Sequence, residues 1–228
     1  MIKDITVCVP LRYTTFEEVV NAAKESMGTD ADMVEIWLDK LPFTYGPSRK
    51  DQKLLNELFS LIDLPIVCVN KFDDADIVSK IDLLCKAVLA GVDYIDVDIN
   101  TEKTSVETLK YTIEETSGVT QLIISYHNFG GTPDFDTLKK VVNKAKMLGA
   151  DIIKIATFAN DEGDNDTIFK ILDFIVKEGK KGVCMCMGDL GTRSRIEGCK
   201  QGSVWTYVAL NENSKTAPGQ LTINELNG

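Results

Sequence analysis

The chain has 228 residues, 44% of them hydrophobic and 26% charged, which excludes disordered and fibrous classes and gives enough length for one sizeable core. Its 25 Lys and Arg stand against 35 Asp and Glu, and the formal charge of −10 excludes nucleic acid and anionic membrane surfaces as expected partners. No apolar run reaches the roughly 18 residues of a membrane span, and MIKDITVCVP lacks a secretory apolar core, so the expected compartment is the cytoplasm.

Along the chain, short Val- and Ile-rich runs alternate with amphipathic segments. The predicted strands are 5–10, 33–39, 65–70, 94–99, 121–127, 151–158, 182–188 and 204–210. Segment 15–28 reads as a helix opened by a capping box of Thr15 and Glu18. Segment 74–91 carries Ile77, Ile81, Leu84, Cys85 and Val88 on one stripe and stops at Gly91. Segments 105–118, 134–149 and 166–179 show the same spacing. After Gly219 only QLTINELNG remains, so the last helix must be short.

Eight strand–helix repeats of about 28 residues argue for parallel strands with crossover helices. The expected fold is α/β, a single-domain (β/α)8 TIM barrel over residues 1–228. An open doubly wound sheet is the competitor, but PLRYTTFEE after the first strand has no Gly-rich phosphate loop. The six cysteines form no C-x-x-C pair. Cys184 and Cys186 make a C-x-C, yet the chain has one histidine, so buried thiols are expected rather than a metal site.

Side chains alternate faces along a strand. If Val34, Ile36 and Leu38 face the helices, Glu35, Trp37 and Asp39 face inward. The same parity turns Asp96, Asp98, Ser125, His127 and Lys154 inward, with Ile152 and Ala156 beside Lys154. Trp205 and Tyr207 read as packing residues. Charges gathered at the C-terminal ends of strands mark where barrel enzymes work. A lysine in an apolar, desolvated site loses its proton more readily and can attack a ketone to form an iminium, while a histidine moves the proton. Schiff-base aldolases and dehydratases both use this constellation, and residue types alone do not separate them.

The ordered set ISYHNFGGTP (124–133), ADIIKIA (150–156), MGDLGTRSR (187–195), GSVWTYVAL (202–210) and TAPGQL (216–221) resembles the type I 3-dehydroquinate dehydratases, lyases of the shikimate pathway and aromatic amino acid biosynthesis. The resemblance runs from VCVP (7–10) to APGQ (217–220). It implies syn elimination of water from 3-dehydroquinate, giving 3-dehydroshikimate, with no cofactor, no metal and a homodimeric assembly. It assigns the iminium to Lys154, general acid–base work to His127 and orientation of that histidine to Asp98, where the family commonly has Glu. It places Glu35 near the ring hydroxyls, Arg195 on the substrate carboxylate, and Thr216 and Gln220 on a loop that closes over the ligand. Two further substrate-binding positions depart from the family: Trp37 and Asn70 stand where arginines are expected. Lys71 and Arg12, on neighbouring loops, are candidates to supply the charge. The departures leave two alternatives open, a paralogous Schiff-base lyase or aldolase acting on another ketone and a non-catalytic metabolite-binding barrel.

Overall fold

A computed structural model describes residues 5–45, 49–71, 77–116 and 118–227. The elements follow as β1 (Val7–Leu11), α1 (Phe16–Met27), β2 (Met33–Trp37), α2 (Arg49–Phe59), β3 (Ile66–Val69), α3 (Ile77–Leu89), β4 (Tyr94–Asp98), α4 (Lys103–Glu115), β5 (Gln121–Asn128), α5 (Phe135–Met147), β6 (Ile152–Phe158), α6 (Gly163–Lys177), β7 (Lys181–Met187), α7 (Thr192–Lys200), β8 (Thr206–Tyr207) and α8 (Ile223–Asn227). Among the described residues, eight strands of one parallel sheet alternate with eight helices, the (β/α)8 barrel class expected from the repeat. No helix among them is long and apolar enough to cross a membrane.

Local chemistry explains the boundaries. The Thr15 hydroxyl accepts from the Glu18 amide at 3.2 Å, and the Glu18 carboxylate accepts from the Thr15 amide at 3.0 Å, so the predicted capping box starts α1. Gly91, at φ +84°, stops the chain after α3 by donating its amide to Val88 at 2.9 Å. The first residues of predicted segment 74–91 lie outside those described. Helices α2 and α7 are elements for which no segment is named from the amphipathic pattern. In α7, TRSRIEGCK offers a single aliphatic residue, so periodicity has little to act on.

Residues 10–122 form one compact unit and residues 1–9 with 123–228 another. In the first, β2, β3 and β4 are in register, so that Glu35, Val67 and Tyr94 share one row and Trp37, Val69 and Asp96 the next. Two residues apart on a strand, both rows lie on the same face. Strand β2 ends sooner than the predicted 33–39. Leu38–Lys40 turn into a 3-10 helix, closed by the Leu41 amide on the Leu38 carbonyl at 3.1 Å, so strand parity no longer governs Asp39.

In the second unit, β5, β6 and β7 place Ser125, Lys154 and Val183 in one row and His127, Ala156 and Met185 in the next. The opposite face carries Ile124, Ile153 and Gly182. Gly182 lies against α6: a Cβ there would come within 2.8 Å of Leu172 Cδ1. The rows holding Lys154 and His127 therefore face away from that helix. Strand β8 is only two residues long, against the predicted 204–210. Beyond it, Ala209 pairs with the C-terminal segment instead: its amide bonds the Leu221 carbonyl at 2.8 Å, and its own carbonyl accepts from Ile223 at 2.9 Å.

Candidate active site

Lys154 sits mid-strand in β6 with 5% of its surface exposed. A lysine so buried needs a polar contact to keep its amine from being a net cost. Its Nζ donates to the Tyr207 hydroxyl at 3.0 Å and lies 4.2 Å from the centre of that ring. His127 stands one row further along the same face of the neighbouring strand. A rise of about 3.3 Å per residue and a strand spacing of about 4.8 Å put the two Cα atoms about 8 Å apart, close enough for both side chains to reach one small ring. The His127 imidazole stacks at 6.3 Å and 14° on Phe129, an exposed residue of the following loop.

Arg195, in the first turns of α7, is 3% exposed. Ser194 fixes that turn against β7: its hydroxyl accepts from the Cys186 amide at 2.7 Å and donates to the Gly191 carbonyl at 2.6 Å. The guanidinium thereby meets the strand row of His127, with Nη1 3.3 Å from Met185 Sδ. Nη2 reaches the Pro218 carbonyl only at 3.5 Å, and Nε has no hydrogen-bond partner among the described residues. Burial lowers its pKa from the ordinary guanidinium range to about 10, so the group stays charged at neutral pH. A desolvated cation whose contacts are a thioether and one long carbonyl bond keeps unused donors, and its planar fork matches the geometry of a carboxylate.

The loop after β8 docks beside it. Pro218 accepts from the Gly188 amide at 3.0 Å, and Gly219, at φ +67°, passes so near that a Cβ would fall 2.1 Å from the Gly188 carbonyl oxygen. Gln220 is buried and its Oε1 accepts from both the Thr216 amide, at 2.7 Å, and the Thr216 hydroxyl, at 3.2 Å. The two loop residues named from sequence thus brace each other.

The remaining residues named from sequence lie in the unit of residues 10–122. Glu35 is buried, and its Oε1 accepts from Trp37 Nε1 at 3.1 Å. Arg12 and Lys71 each lie 5.0 Å from the Trp37 ring centre, so both cations proposed as substitutes gather on the residue that replaces the expected arginine. The Lys71 backbone amide is held by Asp39 Oδ1 at 3.1 Å. Asn70 is buried; its Nδ2 donates to the Lys80 carbonyl at 3.0 Å, which leaves Oδ1 with no partner among the described residues. In β4, Asp96 is the buried carboxylate. Asp98 is exposed at the strand end, where its Oδ1 accepts from the Asn100 amide at 2.8 Å.

A profile of the family described as type I 3-dehydroquinase matches residues 7–228. The chain belongs to the type I 3-dehydroquinase family. It is thereby a hydro-lyase, as the motifs led one to expect. It is similar to the 3-dehydroquinate dehydratase of Desulfotalea psychrophila, 30% identical over 226 residues that span 97% of this chain and 95% of that one. It is 32% identical to the 3-dehydroquinate dehydratase of Methanococcus maripaludis strain C6, over 96% of each chain. Among solved structures, the type I 3-dehydroquinate dehydratase of Clostridium difficile, described with covalently modified comenic acid, superposes with a TM-score of 0.86 at 25% identity, over 98% of this chain and 90% of that one.

One contact of Lys154 escapes the sequence reading. Tyr207, taken there as packing, bonds Lys154. The signal available was chemical: a tyrosine in a buried strand needs a partner for its hydroxyl.

Proposed function

We propose that this chain converts 3-dehydroquinate to 3-dehydroshikimate through an iminium on Lys154, with residues 1–228 working as one catalytic domain. The observation that carries the reading is the buried Lys154 amine one register row from His127 on the same strand face. The amine adds to the substrate ketone and water leaves, forming a C=N bond. His127 takes the proton from the adjacent carbon, and the electron pair moves into the iminium to give an enamine. The C–O bond of the neighbouring hydroxyl then breaks as His127 returns its proton, one water departs on the same face, and hydrolysis releases the enone. Arg195 binds the carboxylate. Thr216 and Gln220 close the loop over it; Glu35 near the ring hydroxyls, and Trp37 and Asn70 as substrate-binding positions, rest on the family resemblance. Asp98 as the partner of His127 and the homodimer rest on the family resemblance alone, and the cytoplasmic setting is a sequence-based expectation; sedimentation at working concentration tests the dimer.

Turnover of 3-dehydroquinate, followed by the near-ultraviolet absorbance of the conjugated product, tests the reaction. Borohydride added during turnover is expected to fix the carbon skeleton on Lys154, and turnover without any such adduct overturns the mechanism. A second reading, a Schiff-base lyase for another ketone, is favoured by one observation: Glu35 Oε1 is already engaged by Trp37. An adduct with other ketones but none with 3-dehydroquinate selects it.

A further inference from the structure

Tyr207 lies beside Lys154 with more fixity than packing requires. The backbone on either side of it is pinned to the first strand segment: the Thr206 amide donates to Thr6 and the Val208 amide to Cys8, both at 3.0 Å. In register, Cys8 pairs with Tyr207 itself. Tyr207 as a whole is 6% exposed. Lysine, by contrast, carries its amine on a four-carbon flexible stem. Here the Nζ is held between a hydroxyl at 3.0 Å and the ring at 4.2 Å, both supplied by one residue.

We propose that Tyr207 is the positioning residue of Lys154: its hydroxyl fixes the amine for attack and, after condensation, holds the single N–H of the iminium. The proposal rests on the iminium reading above and deepens it. A neutral amine has two N–H groups and an ammonium three, but the iminium retains one, lying in the plane of the C=N bond. A hydroxyl that accepts that N–H sets the plane. The carbon–hydrogen bond to be broken must stand across that plane for its electrons to enter the C=N system. His127, one row further on the same face, is then met by the correct proton instead of sampling a rotating adduct. Tyr207 moves no proton in this account; it acts through Lys154.

Tyr207→Phe separates the hydroxyl from the ring, since packing and the cation–ring contact remain. A hydrogen bond to a charged group lost from a closed site corresponds to about a 10-fold effect or more. The expected result is a kcat lower by about 10-fold, a KM within about twofold of wild type and an unchanged thermal midpoint. Pentane-2,4-dione, which condenses with an amine to an absorbing enaminone with loss of water, supplies a readout independent of substrate recognition. Its reaction at Lys154 is expected to slow in Tyr207→Phe by a similar factor. Unchanged kcat, or a loss of kcat that follows a lowered thermal midpoint and a raised KM, overturns the positioning role. If wild type forms no adduct with 3-dehydroquinate, the proposed reaction fails while the diketone rates still decide the role of Tyr207: slower in the variant supports it, equal rates overturn it.

Discussion

Arg195 and Arg12 are both set against a polarisable side chain, Met185 in one case and the Trp37 indole in the other, yet their surroundings differ in kind. Arg195 is 3% exposed, its turn is clamped by Ser194, and it makes no ion pair among the described residues. Arg12 is exposed to water while it covers Trp37, and Lys71 covers the same ring. A cation stripped of water and given no counter-charge is a strained component that a bound anion relieves. A hydrated cation on an aromatic face is already satisfied, and its coupling to any ligand is screened. The unit of residues 123–228 thus invests its rigidity in a few buried polar groups, whereas the Trp37 cluster spreads charge over a half-exposed surface. The first arrangement leaves a charge that a bound anion would relieve, and the second does not.

The severest test of this contrast is removal of the buried amine. Lys154→Met keeps the volume and discards the nucleophile; turnover is expected to fall by at least about 1,000-fold with no borohydride adduct, while the thermal midpoint holds or rises. Retained turnover breaks the assignment. His127→Ala follows, with kcat lower by about 100- to 10,000-fold and KM nearly unchanged, because general acid–base work is confined to the transition state. An effect confined to KM contradicts that role.

Arg195→Met sharpens the comparison because stability and binding should move in opposite directions. The thermal midpoint is expected to rise, since a buried charge is replaced by an apolar chain, while KM rises by about 100-fold through the lost carboxylate contact. The sign of the pH dependence follows from the lowered pKa. Burial lowers the pKa of Arg195 to about 10, below its ordinary value, so above that pH the unfolded chain binds more protons than the folded one. The cost of the buried charge is present in full below about pH 10 and is lifted as pH rises above it. Ligand binding goes the other way and weakens above about pH 10. A thermal shift induced by product that is as large at pH 10.5 as at pH 8 contradicts this.

The repeat of strands and helices was legible because its period is built into hydrophobicity, and parity alone turned Glu35, His127 and Lys154 to one kind of face. The Trp37 cluster was only half legible. Arg12 and Lys71 could be named as nearby cations, but nothing in the order of residues says that both settle on the indole or that its Nε1 bonds Glu35. Parity also treated Asp96 and Asp98 alike, whereas β4 closes on Asp98: Asp96 is buried in the ladder, and Asp98, the last residue of the strand, is exposed and bonded to the Asn100 amide. The Tyr207 contact depends on a partner 53 positions away, and Arg195 on a hydroxyl that anchors its turn. Local pattern encodes faces, and tertiary contact decides which member of a face meets which.

Trp37→Phe gives the smallest effect and the finest distinction. The phenyl ring still offers a face to Arg12 and Lys71, so the cations stay, while the donor to Glu35 Oε1 is removed. A hydrogen bond to a charged group is worth about 1.5–3 kcal/mol when buried, and the half-exposure of Trp37 reduces this to about a 3- to 10-fold change in KM with kcat unaltered. The direction carries the information. A rise in KM means that the indole holds Glu35 in the orientation the ring hydroxyls require, which makes Trp37 part of a working anion and hydroxyl site. A fall in KM means that the indole was competing with 3-dehydroquinate for Glu35, and the natural ketone is then one that leaves the Trp37–Glu35 bond intact. No change in either constant removes Trp37 from substrate binding.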